Sequence, residues 1–168
     1  MCLEYRNPVA IISKSALVER DVELIAELAR EAGASLSVSL AWLDAELART
    51  IEPWAAAPAR RLKVIETFAK AGVPVGIMMA PIIPGLNDNQ IVKLMEAARS
   101  AGAQWAGWTL LRLPGVVKEV FEDRLRVSLP FAEGAGTTRA FPPLRDGSSR
   151  GSSLRSGCLM GARGSRRQ

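Results

Sequence analysis

The chain contains no histidine among its 168 residues. That removes the commonest general base, the commonest neutral metal ligand and any serine–histidine triad. Cysteine is almost as scarce. Cys2 and Cys158 lie far apart, so neither a disulfide framework nor a paired-cysteine metal site can be drawn within these residues. No apolar run reaches the ~18 residues of a membrane span, and the N-terminus lacks the basic-then-apolar pattern of a signal peptide. We therefore expect a cytoplasmic protein with no membrane partner. Lysine is absent after Lys118, and the excess of positive charge is confined to the same end of the chain. Seven arginines against Glu133 and Asp146 in residues 128–168 account for the whole net charge of +5, which leaves residues 1–127 neutral.

Residues 128–168 are rich in glycine, serine and arginine and show no periodicity of 2 or 3.6. They are expected to be a disordered tail, or the product of a shifted reading frame in a GC-rich gene. The body, residues 1–127, is long enough for one domain, and the 48% hydrophobic content of the chain is enough to build a core.

What is present is organised around Ala71–Asn89. Val73–Met79 is a short apolar run without alternation, which suits a strand buried on both faces of a parallel sheet. Ala80–Asp88 carries Pro81, Pro84 and Gly85 and reads as a rigid loop, neither helix nor interior strand. Asn87 and Gln90 have the spacing of a capping box for the helix that carries Ile91 and Leu94. The same βα pattern recurs along the chain. Strands are predicted at Val9–Ser13, Ser35–Ser39 and Trp105–Leu111. Helices are predicted at Val18–Ala32, ended by Gly33, after an Asp44 cap to Thr50, at Ala59–Ala71 behind Pro58, and around Val117–Leu125. Four βα units with short connections give a parallel α/β sheet with right-handed crossovers.

In such folds ligands bind at the carboxyl ends of the strands. Lys14 and Ser15, Ser39, the Ala80–Pro84 loop and Arg112 all fall there. A lysine can hold a carboxylate or phosphate as a point charge, an arginine can do so bidentately, and Ser39 can add a hydroxyl donor. Any one of them alone is also an ordinary surface group. Met78 and Met79 read as core filler or as a thioether site. Glu52, beside Pro53, reads as a lone acid or base with no second titratable partner in view.

Several segments together are recognisable: IleSerLysSer at 12–15, ArgAspValGluLeuIleAlaGluLeu at 20–28, ValSerLeu…LeuAsp at 38–44 and GluProTrpAlaAlaAlaPro at 52–58. To these are added ArgLeu at 61–62, AlaGlyValProValGly…AlaProIleIleProGlyLeuAsnAsp at 71–88 and LeuLeuArgLeuPro at 110–114. From about Pro8 to Arg126 the chain resembles the radical S-adenosylmethionine (SAM) superfamily, and within it the spore photoproduct lyase-related group, often labelled DNA repair photolyase.

The resemblance implies part of a (βα)6 partial TIM-type barrel with SAM lying across the strand ends. It also implies a [4Fe–4S] cluster on three cysteines, and reductive cleavage of SAM to a 5′-deoxyadenosyl radical, with DNA lesions as substrate. By position, Lys14 and Ser39 match the residues that hold the SAM carboxylate, and Ala80, Pro81 and Ile82 match the loop beside the adenine. Glu52, Asn87 and Arg112 are placed as substrate-rim residues, and no metal ligand is assigned.

The chain departs from the family in three ways. The three-cysteine motif is missing, and the chain opens at what should be about the third strand of the barrel. Trp54 stands where relatives usually show arginine, and Ala41–Trp42 where they usually show two threonines. The tail also replaces the family's C-terminal segment. We therefore expect a barrel fragment that is inactive by itself and self-associates through exposed edges. Two other functions fit the residues: an α/β protein that binds a nucleotide or phosphate without radical chemistry, and a nucleic-acid binder acting through the arginine-rich tail.

Overall fold

The computed structural model describes residues 1–128 and the backbone of residues 158–159. Of the expectations for residues 128–168, all but Ser128 and this short segment lie outside the described residues. Four strands form one parallel sheet in sequential order: β1 (Val9–Ser13), β2 (Ala34–Ser39), β3 (Val75–Ile82) and β4 (Trp105–Leu110). The register sets Ile11 beside Leu36, Leu36 beside Val75 and Ile77 beside Ala106. A two-residue strand, β5 (Cys158–Leu159), adds to β4 in the antiparallel sense. The helices are α1 (Val22–Glu31), α2 (Ala45–Ile51), α3 (Pro58–Lys70), α4 (Ile91–Ser100) and α5 (Val116–Ser128). The alternating βα order matches the expectation of a partial TIM-type fold. None of the described helices is long and apolar enough to cross a membrane.

Burial follows the strand period of two. Leu36, Val38, Val75, Ile77 and Met79 point into one core with Ile25 and Leu28 of α1, Val64, Ile65 and Phe68 of α3, and Leu94 and Ala98 of α4. On the opposite face of β1, Ile12 is 64% exposed, so this face is open. The unbroken apolarity of β3 has a local cause on that open face. Gly76 lies beneath the Trp105 indole, close enough that an added Cβ would sit 2.4 Å from the ring, and Met78 lies over Gly107 in the same way. The Trp105 indole nitrogen donates to Ser37 Oγ at 3.4 Å. Two glycines thus let two large side chains lie flat and cover the central strands where none of the described helices does.

Several predicted boundaries hold. Gly33, at φ +90°, follows α1 and turns the chain into β2. Asp44 caps α2 by accepting from the backbone amides of Glu46 and Leu47, and Pro58 takes the first turn of α3. Others shift. The helix predicted from Val18 begins instead as a 3-10 turn, Ala16–Asp21, capped by Ser15, whose Oγ accepts from the Leu17 amide; α-geometry starts only at Val22. The predicted loop at Ala80–Ile82 is strand. β3 runs through Pro81, which follows a cis peptide bond, and the register with β4 shifts between Met79 and Ile82. This irregularity accommodates a proline that has no amide to give the ladder.

Candidate functional site at the strand ends

Lys14 lies one residue past the paired Ser13 and Val38, level with Ser39 at the end of the neighbouring strand. Its ammonium donates to Glu52 Oε1 at 2.6 Å. The other carboxylate oxygen of Glu52 accepts from Arg61 Nη2, also at 2.6 Å. Arg61 in turn donates through Nη1 to the Ser39 carbonyl at 2.9 Å and through Nε to the Ala56 carbonyl at 2.6 Å. One guanidinium from the first turn of α3 therefore ties the end of β2, the loop after α2 and, through Glu52, the end of β1.

Exposure is steeply graded across this group. The Arg61 side chain is 2% exposed, Glu52 11% and Lys14 48%. Burial pushes the Glu52 carboxyl up, but the hydrogen bonds from Lys14 and then Arg61 outweigh it and hold the group below its ordinary value. Glu52 is thus a paired carboxylate, and the expectation of a lone acid or base is corrected. Chain separation hid the partners, which lie 38 residues before it and 9 residues after it. Lys14 and Glu52 face a groove of about 490 Å³ that Ser15, Ile51 and Trp54 also line. The Trp54 side chain is 98% exposed. Behind it, Glu52 and Arg61 close a smaller cavity of about 170 Å³ with Ala48, Arg49 and Pro58.

A second constellation forms at the end of β3. Asn87 is 2% exposed, with its side chain turned into the loop. Its Oδ1 accepts from the Ile83 amide at 2.7 Å, and its Nδ2 donates to the carbonyls of Ala41 and Pro81, each at 3.1 Å. This corrects two expectations. Asn87 makes no side-chain cap, because a 3-10 turn, Asp88–Gln90, precedes α4. It is also a buried brace between two strand ends, not a residue of the open rim. Gln90 does not close a capping box either; its Oε1 accepts from the Leu43 amide at 3.1 Å. Both side chains found partners on the neighbouring βα loop that local spacing could not reveal.

Ala80 and Pro81 are half-buried and Ile82 is buried, so they form the apolar edge above β3. Nearby, Ala41, Trp42, Ala48 and Ile83 make a satellite core, joined by Leu111 and Phe121. The Trp42 indole nitrogen is buried there without a hydrogen-bond partner among the described residues. Arg112 is exposed just past β4, next to Leu111, whose amide donates to the Ile82 carbonyl. The structure therefore gathers Lys14, Ser39 and Glu52 into one network and Ala80–Ile82 and Asn87 into another. Among the described residues no side-chain hydrogen bond or ion pair joins Arg112 to either. Arg61 is the residue the sequence did not single out. It stood in view only as part of ArgLeu at 61–62, and its neighbour Arg60 turns outward to pair with Glu19.

The sequence model described as the Radical SAM superfamily matches residues 2–98. Proteins of Mycobacterium bovis and Mycobacterium tuberculosis, both described as uncharacterized, are each 38% identical over 99 residues. That alignment takes in 58% of this chain and 29% of theirs. An uncharacterized protein of Acidianus two-tailed virus is 31% identical over 120 residues, covering 68% of this chain and 39% of its own length. The chain spans about a third of the length of these relatives. It belongs to the radical SAM superfamily.

Complete members of that superfamily imply SAM and a [4Fe–4S] cluster. The donor set here does not fit the cluster. Among the described residues no three His, Cys, Asp or Glu side chains converge on a possible metal position, and Cys2 is exposed. The 168 residues contain two cysteines, where such a cluster takes three thiolates or more.

Proposed function

We propose that these residues form the strand-end rim on which a radical SAM enzyme seats S-adenosylmethionine. Lys14 takes the ligand's carboxylate, since an ammonium has three donors and Glu52 uses one. The Ser39 hydroxyl adds a donor from the adjacent strand. Ala80, Pro81 and Ile82 supply an apolar wall for the adenine, and Glu52 and Arg112 border the substrate side. The observation that carries this is the network Lys14–Glu52–Arg61–Ser39, which fixes two neighbouring parallel strand ends and leaves an ammonium facing a groove.

Generation of a 5′-deoxyadenosyl radical is proposed only together with a cluster that these residues do not hold, and this chain by itself is expected to be inert. Action on DNA lesions rests on the motifs at 71–88 and 110–114 that resemble the spore photoproduct lyase-related group. Equilibrium dialysis against labelled SAM tests the seat. Lys14→Met is expected to weaken binding about 10- to 100-fold, the equivalent of ~1.5–3 kcal/mol for a hydrogen bond to a charged group. Absence of SAM binding by the wild type, or a Lys14→Met variant that binds as well, overturns the proposal. Anaerobic iron–sulfur reconstitution with dithionite and SAM should yield no 5′-deoxyadenosine above the blank.

A further inference from the structure

We infer that Glu52 is a specificity-determining residue: it sets the strand-end seat to accept one negative charge, a carboxylate, and to reject a dianion such as phosphate. The inference deepens the SAM-seat proposal and rests on it for the identity of the ligand, but its physical content is the charge at Lys14. Lys14, Glu52 and Arg61 are in direct contact, and two cations against one anion leave the group with a single positive charge. Without Glu52 the same two cations would present two positive charges to the groove. Lysine and arginine at a strand end are the usual means of holding phosphate. Here the carboxylate between them cancels half of that field.

The graded burial makes Glu52 the fixed member of the group. Arg61 is enclosed and has three acceptors in place, including Glu52, so the carboxylate cannot follow a ligand into the groove. Lys14 is half-exposed on a flexible stem and can share its remaining donors with an incoming anion. Any such anion then sits within one ammonium's width of the Glu52 carboxylate. Attraction to the group grows in proportion to the anion's charge, whereas the cost of taking the anion out of water grows as the square of that charge, so halving the field costs a dianion more than a monoanion.

The test uses anions without an adenosine, so that failure of SAM to bind sinks the seat proposal and leaves this one to its own result. The Lys14 side-chain resonances, assigned with Lys14→Met, are titrated at pH 8 and constant ionic strength with acetate and with inorganic phosphate. Wild type is expected to bind phosphate no more tightly than acetate. In Glu52→Gln the amide can still accept from Arg61, Lys14 is released, and the phosphate-to-acetate preference should rise about tenfold. That is the low end of what one unit charge about 4 Å away contributes between water and a protein surface. An unchanged preference in Glu52→Gln overturns the inference. So does a wild type that already prefers phosphate tenfold, a result that needs no variant to fold.

Discussion

Arg61→Met is expected to lower stability by about 3–5 kcal/mol, the usual cost of removing one partner from a buried ion pair. The guanidinium is the least exposed charged group described here and serves three acceptors, one at the end of β2 and two in the loop after α2. Methionine keeps much of the volume but none of the donors. The carbonyls of Ser39 and Ala56 would lose their bonds, and Glu52 would retain only Lys14. A fall in the urea midpoint at constant slope is the measure, and a loss under about 1 kcal/mol would remove Arg61 from its central place. Replacing Glu52 and Arg61 together with methionine should recover part of the loss, because an absent pair costs less than a broken one.

The acid limb of the stability curve gives an independent check. Glu52 has a native pKa below its unfolded value, so its contribution is complete above the ordinary carboxylate range. It is lost as pH falls through that range toward the lowered native value. Removing Arg61 takes away one of the two hydrogen bonds that oppose burial. The native and unfolded pKa values then move together, and the dependence on acid should become shallower.

The sheet was legible in the sequence because its signals are local. Apolar runs of strand length, Gly33 after α1, Asp44 before α2 and Pro58 at α3 each act within a few residues. The strand-end residues were legible for the same reason, since a residue following a strand in a parallel βα unit must lie at its carboxyl end. The pairings among them were not. Glu52 looked solitary because Lys14 reaches it across the sheet rim, and Arg61 looked like any arginine in a helix. Asn87 and Gln90 had the spacing of a capping box, but the Ala41 carbonyl and the Leu43 amide of the neighbouring loop, with the Pro81 carbonyl and Ile83 amide of their own, took their side chains instead. Pro81 reads as a strand breaker in sequence, yet a register shift lets β3 continue through it.

Asn87→Leu should be the second most damaging change at the rim, lowering stability by about 3 kcal/mol. The side chain is almost wholly enclosed, so water cannot replace what it provides. Leucine, of similar size, fills the space but strands the Ile83 amide and leaves the Ala41 and Pro81 carbonyls without this donor. Each unmet buried group costs ~1–3 kcal/mol, and the carbonyls, with two lone pairs each, fall at the low end. The consequence for function follows from which segments part. Ala41 belongs to the loop after β2, two residues beyond Ser39, and Pro81 to the apolar edge above β3. Loosening their brace separates the proposed carboxylate seat from the proposed adenine wall without touching either. Asn87→Leu is therefore expected to weaken SAM binding at temperatures where the sheet is still folded, although residue 87 is not among the residues proposed to touch the ligand. Hydrogen exchange distinguishes this from global unfolding. The Ile83 amide should lose protection selectively while the β2–β3 amides at 36–39 and 75–78 keep theirs. Equal loss at all of these positions, or an Ile83 amide as protected as in wild type, would show that Asn87 does not hold the rim together.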